Sequence, residues 1–365
     1  MNTQCDFDVL IAGAGPTGMS AGIALHDFGF RVGLIDRHEK GLDFSRAILC
    51  NAHTLRALKP FGIADKIARA GCPFMSMAVR GPGGVILEGA VGEPEADGIR
   101  PISLPQLDTE RCLQEGLAER GITVMRPLRL VSFTQNDTHV VSTVEGPEGL
   151  HRLTSAYLLG ADGAHSRVRE GLGLDYHQTA KPLAMYSQDA VLAFDGQPDL
   201  GIWILDSGAV IAMRLGDNRV RFAATSRLSF EALGFSDLIQ QTTWESEFDV
   251  FFAQVTRYGE KRVWIAGDAA HIHSPIGGRG MNMGIADGIR FAEAVRGGDF
   301  VAYAAERHAV SSGWVRKNRL FTTLISDQSV KGRNVRRLLR GGLGLLSRLQ
   351  GNQAAQKVFT AMTQG

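Results

Sequence analysis

The chain opens on a short apolar run, Phe7 to Ala12 (FDVLIA), which predicts a strand buried on both faces. The period of the apolar positions then changes. Ala21, Leu25 and Phe28 share one helical face, and Pro16 stands where the first turn of a helix tolerates a missing N–H. RVGLID (31–36) reads as a second strand ending on an acid. Residues 122–155 are polar and β-rich, with turn signals at Asn136-Asp137 and Gly146-Pro147. Tyr157 to Leu159 predicts a strand that stops at GADG. The runs 184–194, 201–205, 209–215 and 219–225 predict further strands. Val263 to Ala266 reads as one more strand. After a glycine-rich loop, Met283, Ala286, Ile289, Phe291 and Ala294 show helical spacing. Near the end, 330–350 mixes basic residues with leucines, and Gly341, Gly342 and Gly344 are expected to interrupt a helix there.

Composition adds limits. The 365 residues are 44% hydrophobic and 21% charged, ordinary globular usage that allows about two domains. The net charge of +1 argues against a nucleic-acid binder. The charge is nevertheless uneven: from Arg316 onward there are ten Lys/Arg and one acid, Asp327. Cys5, Cys50, Cys72 and Cys112 form no C-x-x-C pair, which suggests a reducing, cytoplasmic setting. No run of about 18 apolar residues predicts a membrane span.

Three glycine-rich stretches carry the chemistry. Gly13, Gly15 and Gly18 have G-x-G-x-x-G spacing between the first strand and helix. Gly13 would permit the tight turn, Gly15 the approach of a pyrophosphate, and Gly18 close packing of helix on sheet. Asp36 follows at the distance expected of a ribose-binding carboxylate. This is a dinucleotide site by its own logic, and FAD and NAD both satisfy it. The second stretch, GADGAHSRVR (160–169), taken alone fits a ligand site or a strand–turn–helix corner capped by Ser166. The third, GDAAHIHSPIGGRGMNMG (267–284), again places glycines at a strand-to-helix transition, where backbone N–H groups face something negative. A zinc site is disfavoured: His271 and His273 would face opposite sides of a strand, and no third ligand has the usual spacing. No metal is expected. A Ser/His/Asp hydrolase is disfavoured too, since no G-x-S-x-G is present.

In this order the three stretches resemble the class A flavoprotein monooxygenases, the family of p-hydroxybenzoate hydroxylase and the ubiquinone-biosynthesis hydroxylases. The resemblance implies an α/β fold: a Rossmann-like FAD-binding domain, an inserted, mostly antiparallel substrate sheet, and a C-terminal helical tail. The FAD domain would comprise 1–73, 106–174 and 259–320, the substrate domain 74–105 and 175–258, and the tail 321–365. It implies that Gly13, Gly15, Pro16, Thr17, Gly18, Asp36 and Arg37 bind the ADP half of FAD. Arg46, Gln106 and Arg111 would lie near the cofactor, and Asp162 and Gly163 would serve both FAD and NAD(P)H. Gly267 and Asp268 would hold the ribityl chain. Pro275, Gly278, Arg279, Gly280, Met281 and Asn282 would line the flavin ring, with Pro275, Gly278 and Arg279 nearest the chemistry. It further implies NADPH or NADH as reductant, and O2 activated as a flavin hydroperoxide that attacks an aromatic or polycyclic substrate. His271 and His273 become packing or hydrogen-bonding residues.

Three departures stand out: Arg279 where the family usually has Gln, a short helix after Asp287, and Gly288 where a small Ala is common. Met185, Trp203, Met213 and Phe222 are candidates for an apolar pocket wall, with ordinary sheet core as the competing reading for each. The basic tail could touch an anionic membrane surface; the competing reading is a helix packed on the flavin domain. An FAD-dependent dehydrogenase or reductase, and a non-catalytic flavin-binding protein, remain alternatives on the same scaffold.

Overall fold

The computed structural model describes residues 5–41, 47–91, 97–178, 182–193, 198–351 and 353–363. Phe7–Ala12 forms the predicted strand, and Val9, Leu10 and Ile11 are fully buried. It sits mid-sheet. The parallel strands run in spatial order Val124–Met125, Val32–Ile35, Phe7–Ala12, Gly149–Gly160 and Val263–Ile265. Along the chain this is the order 3-2-1-4-5 of a doubly wound nucleotide-binding sheet. Arg129–Gln135 and Val140–Gly146 extend it as antiparallel strands that turn at the two signalled positions.

The helices are α1 (Pro16–Asp27), α2 (Ala52–Leu58), α3 (Ile63–Ala70), α4 (Gln106–Glu119), α5 (Arg167–Gly171), α6 (Arg227–Glu231), α7 (Gly280–Gly297), α8 (Phe300–Ser326), α9 (Val330–Gln350) and α10 (Gln353–Thr363). Pro16 opens α1, and the Ser166 side chain caps α5 by accepting from Arg169 N–H.

The second sheet has seven strands in the order Ile239–Val250, Leu183–Leu192, Arg219–Ala224, Gly208–Gly216, Leu200–Leu205, Ser76–Gly81 and Gly84–Ala90. All neighbours are antiparallel except Leu200–Leu205 beside Ser76–Gly81, where the two inserted segments pair. Strand alternation sends odd and even positions to opposite faces. Here both faces are covered, so both parities are apolar. Tyr186, Trp203, Val210 and Phe222 pack against Phe230 and Phe235 on the α6 side. Met185 packs with Ile276 and Ile325 on the other, and Met213 with Leu49 and α10.

The C-terminal region differs from expectation in three ways. α8 runs unbroken through the anticipated boundary at 320/321. α9 is continuous through Gly341, Gly342 and Gly344. Tertiary anchoring outweighs their poor propensity. The buried Arg336 guanidinium donates to the carbonyls of Leu205, Asp206, Ile325 and Asp327, and Arg337 and Arg340 pair with Asp206. Finally, α9 and α10 lie on the substrate sheet, not the flavin layer: Leu339, Leu343 and Leu346 join its clusters, and Ala354, Ala355 and Phe359 are buried there.

Candidate active site

Gly13 and Ala161 follow adjacent parallel strands at the point where the sheet order reverses. A Cβ on Gly13 would stand 2.2 Å from the Ala161 carbonyl oxygen and 2.9 Å from the Asp162 Cα, at a φ of +105°. The first and second glycine-rich stretches therefore touch, and glycine is what lets them. Above them opens a cleft of about 440 Å³, lined among others by Gly13, Gly15, Asp36, Arg37, Asp162 and Gly163. A Cβ on Gly15 would meet none of the described residues within 4 Å, so the backbone there is open to the cleft. Among the described residues no side chain caps the N-terminus of α1, which leaves its N–H dipoles for a ligand.

Two carboxylates shape the cleft. Asp36 accepts from the N–H of Ala14 at 2.7 Å and of His38 at 2.9 Å, with Arg126 at 3.3 Å. It holds the glycine loop as well as facing the cleft. Asp162 accepts from Arg167 N–H at 2.7 Å through Oδ2, while Oδ1 is buried with no hydrogen-bond partner among the described residues. Burial raises the Asp162 pKa. An orphaned acceptor of this kind calls for a donor from outside the chain.

The third stretch joins through Thr17. Its Oγ1 would lie 2.6 Å from a Cβ on Gly267 and 2.3 Å from one on Gly284, and its carbonyl oxygen 2.4 Å from one on Gly288. Glycines at these three places let α1, α7 and the 267–269 turn close on one residue. Gly288, a departure from the family pattern, is thus explained by packing.

Asp287 ties the same elements electrostatically. Its Oδ2 accepts from Gly267 N–H at 2.9 Å and from His271 Nε2 at 2.8 Å, and its Oδ1 from Arg307 Nε at 2.6 Å. The carboxylate is fully enclosed. Burial works against its charge, yet His271, Arg307 and the Gly267 N–H together hold its pKa below the usual range. His273 donates from Nδ1 to the Ser274 carbonyl, and burial pushes its pKa down to about 3. The His271 and His273 rings lie parallel, 6.4 Å apart. The expectation that they face oppositely fails because side chains two positions apart on an extended chain share a face.

The loop is clamped from several sides. Gly278 N–H donates to the Pro275 carbonyl at 2.9 Å, with Gly277 and Gly278 at positive φ. Asn282 donates to the carbonyls of Leu49 and Gly278 and accepts from Asn51 N–H. The Arg279 guanidinium lies over the Trp314 ring, 4.4 Å from its centroid, and its pKa is lowered by burial and by Arg307. Among the described residues no side chain caps α7 either, so a second helix N-terminus, at Gly280 and Met281, is left to a ligand.

Other anticipated residues lie elsewhere. Arg46 falls outside the described residues. Gln106 opens α4, where it exchanges hydrogen bonds with Ala47 and donates to Glu110. Arg111 does not reach the cleft: it is exposed and paired with Asp108, because helix periodicity turns it outward. Glu110 and Arg126 line the cleft instead, and burial raises the Glu110 pKa. The four-residue step from Gln106 could have identified Glu110. Asp268 is exposed beside the loop, its carbonyl accepting from the Tyr176 hydroxyl. Trp203 and Phe222 cannot share a wall with Met185 and Met213, since the pairs occupy opposite faces of the sheet. Arg307, the cation behind Asp287, carried no local sequence signal.

Residues 6–223 and 220–317 match the family described as FAD binding domain. The chain is 30% identical over 346 residues to 6-methylpretetramide 4-monooxygenase of Streptomyces rimosus, covering 87% of this chain and 62% of that protein. Among solved structures, p-nitrophenol 4-monooxygenase PnpA from Pseudomonas putida DLL-E4 superimposes with a TM-score of 0.82 at 19% identity, over 97% of this chain and 96% of that one. CabE, an aromatic hydroxylase from angucycline biosynthesis, gives 0.75 at 25% identity, over 98% and 76%.

Proposed function

The chain belongs to the FAD binding domain family, the class A flavoprotein monooxygenases, and from that premise we propose that it hydroxylates an aromatic or polycyclic small molecule with O2 and NAD(P)H. The observation that carries the reading is the meeting of the three glycine-rich stretches around the start of α1: Gly13 against Ala161, and Thr17 against Gly267, Gly284 and Gly288. The residues present fit FAD. Gly15 at the start of α1 and Asp162, whose Oδ1 has no hydrogen-bond partner among the described residues, line the cleft, and α7, whose Gly284 packs on Thr17, opens on a second N-terminus without a side-chain cap among the described residues.

Bound FAD supplies the redox chemistry, accepting reducing equivalents from NAD(P)H and delivering them to O2. The chain's residues bind and orient. Gly13, Gly15 and the start of α1 would hold the pyrophosphate, Asp36 the ribose, and Asp162 Oδ1 a hydroxyl donor. Gly267 and Asp268 would meet the ribityl chain. The Pro275–Gly278 turn and the start of α7 would face the ring, where backbone N–H groups favour negative charge. Ile276 from this turn joins Met185 and Ala209 of the substrate sheet, an apolar setting that excludes water and suits an aromatic substrate. Free cysteines support a reducing, cytoplasmic setting.

The test is direct. Protein reconstituted with FAD should oxidise NAD(P)H faster when an aromatic substrate is added, and the product formed under ¹⁸O2 should carry one labelled oxygen. Turnover without label would replace the monooxygenase reading with a dehydrogenase on the same scaffold.

A further inference from the structure

An amphipathic helix on a protein surface needs one apolar stripe, and α9 has two. The inner stripe, Leu339, Leu343 and Leu346, packs on the substrate sheet. The second points to solvent: Leu338, Leu345 and Leu349 are 76%, 58% and 74% exposed. Their spacing of seven and four residues puts them on one face, spanning about 16 Å at helical rise. Between them Gly341 and Gly342 are exposed, with none of the described residues within 4 Å of where a Cβ would stand. Folding does not account for this stripe.

Its charge setting identifies what covers it. Residues 330–350 include Lys331, Arg333, Arg336, Arg337, Arg340 and Arg348 and no acid. Arg336 and Arg340 are consumed holding the helix to the sheet. Lys331, Arg337 and Arg348 are exposed on the outward side, Arg337 still 60% exposed while paired with Asp206. A second copy meeting this face about a two-fold axis would bring like charges together with no acid on α9 to relieve them. An anionic lipid surface offers the complement: an apolar boundary for the leucines and headgroup phosphates for the cations beside them. We propose that the outward face of α9 docks this protein on an anionic lipid surface, its leucines in the headgroup–acyl boundary and its basic residues at headgroup level.

The experiment uses the full chain and sucrose-loaded vesicles of phosphatidylcholine, with and without phosphatidylglycerol. The protein should co-sediment with the anionic vesicles only, and binding should weaken as salt rises. Leu345→Glu with Leu349→Glu should lower the partition coefficient more than tenfold while leaving the thermal midpoint near wild type. Arg348→Gln should lower it about fivefold. Leu150→Glu, at an exposed leucine on the flavin-layer hairpin, should change nothing. The proposal is overturned by absence of binding, by equal binding to both vesicle types, or by an equal effect of Leu150→Glu. It is also overturned if sedimentation velocity shows self-association that the double variant abolishes, which would make the face a contact between copies.

Discussion

Replacing Asp287 by Asn keeps the side-chain shape and removes the charge. In the native site three donors converge on the carboxylate: Arg307 Nε on one oxygen, His271 Nε2 and the Gly267 N–H on the other. A carboxamide accepts through one oxygen only, so its NH2 must face either Arg307 or the His271–Gly267 pair. Asp287 is 1% exposed and Arg307 5%, so water does not relieve the conflict. Breaking one partner of a buried ion pair costs about 3–5 kcal/mol, and urea unfolding of the apoprotein at pH 7 should show a loss of that size. With the NH2 turned to the His271–Gly267 pair, Gly267 also loses its anchor and FAD should bind about fivefold more weakly, roughly one hydrogen bond of about 1 kcal/mol. The pH dependence has a definite sign. Asp287 has a lowered pKa in the folded state, so its contribution is present above its ordinary value of 3.8 and is lost as pH falls through the lower folded value. The gap between wild type and variant should therefore close in acid. A loss under about 1 kcal/mol at pH 7 would refute the idea that this carboxylate fastens α7 to the 267–269 turn.

Gly13→Ala drives a methyl onto the Ala161 carbonyl, and fluorescence titration should find FAD binding abolished; retained affinity would mean the two strand ends can part. Gly288→Ala places a methyl 2.4 Å from the Thr17 carbonyl, and chemical unfolding should show overpacking of about 1–3 kcal/mol less the helix-propensity gain of about 1 kcal/mol, with weaker FAD binding. His273 carries a pKa lowered from 6.5 to about 3, so its neutral burial costs stability as pH falls below 6.5. Wild type should lose about 2 kcal/mol between pH 7 and 5 from this group, and His273→Gln should flatten that limb of the unfolding profile. Arg279→Gln removes a half-buried charge at the start of α7 and should lower the flavin reduction potential; an unchanged potential would show that the stack on Trp314 directs the charge away from the ring.

The flavin layer was legible because its signals are local. A buried parallel strand is a continuous apolar run, and a dinucleotide loop must place glycines at fixed steps, so Phe7–Ala12, α1 and α7 could be read directly. The substrate strands were legible as strands, but not by face. A sheet covered on both sides erases the polar–apolar alternation that would have separated Trp203 and Phe222 from Met185 and Met213. Arg111 stands exposed beside Asp108, since proximity to a motif says nothing about helix phase. Arg307 and Trp314 lay beyond sequence reasoning, since their partners are distant in the chain. The glycines of α9 misled because Arg336, one residue with four carbonyl partners, outweighs three poor helix formers.

The pairing of Ser76–Gly81 with Leu200–Leu205 sets a schedule for synthesis. The hairpin of residues 76–90 leaves the ribosome with Met77, Val79 and Leu87 already destined for burial. Its partner strand emerges about 120 residues later, several seconds at ordinary elongation rates. The α10 residues Ala354, Ala355 and Phe359, with Phe359 stacked on Phe74, come later still. The earliest-made piece of the substrate layer is thus the last to be sheltered, and shortening the C-terminus by a single helix should leave a nascent apolar hairpin for chaperones to hold.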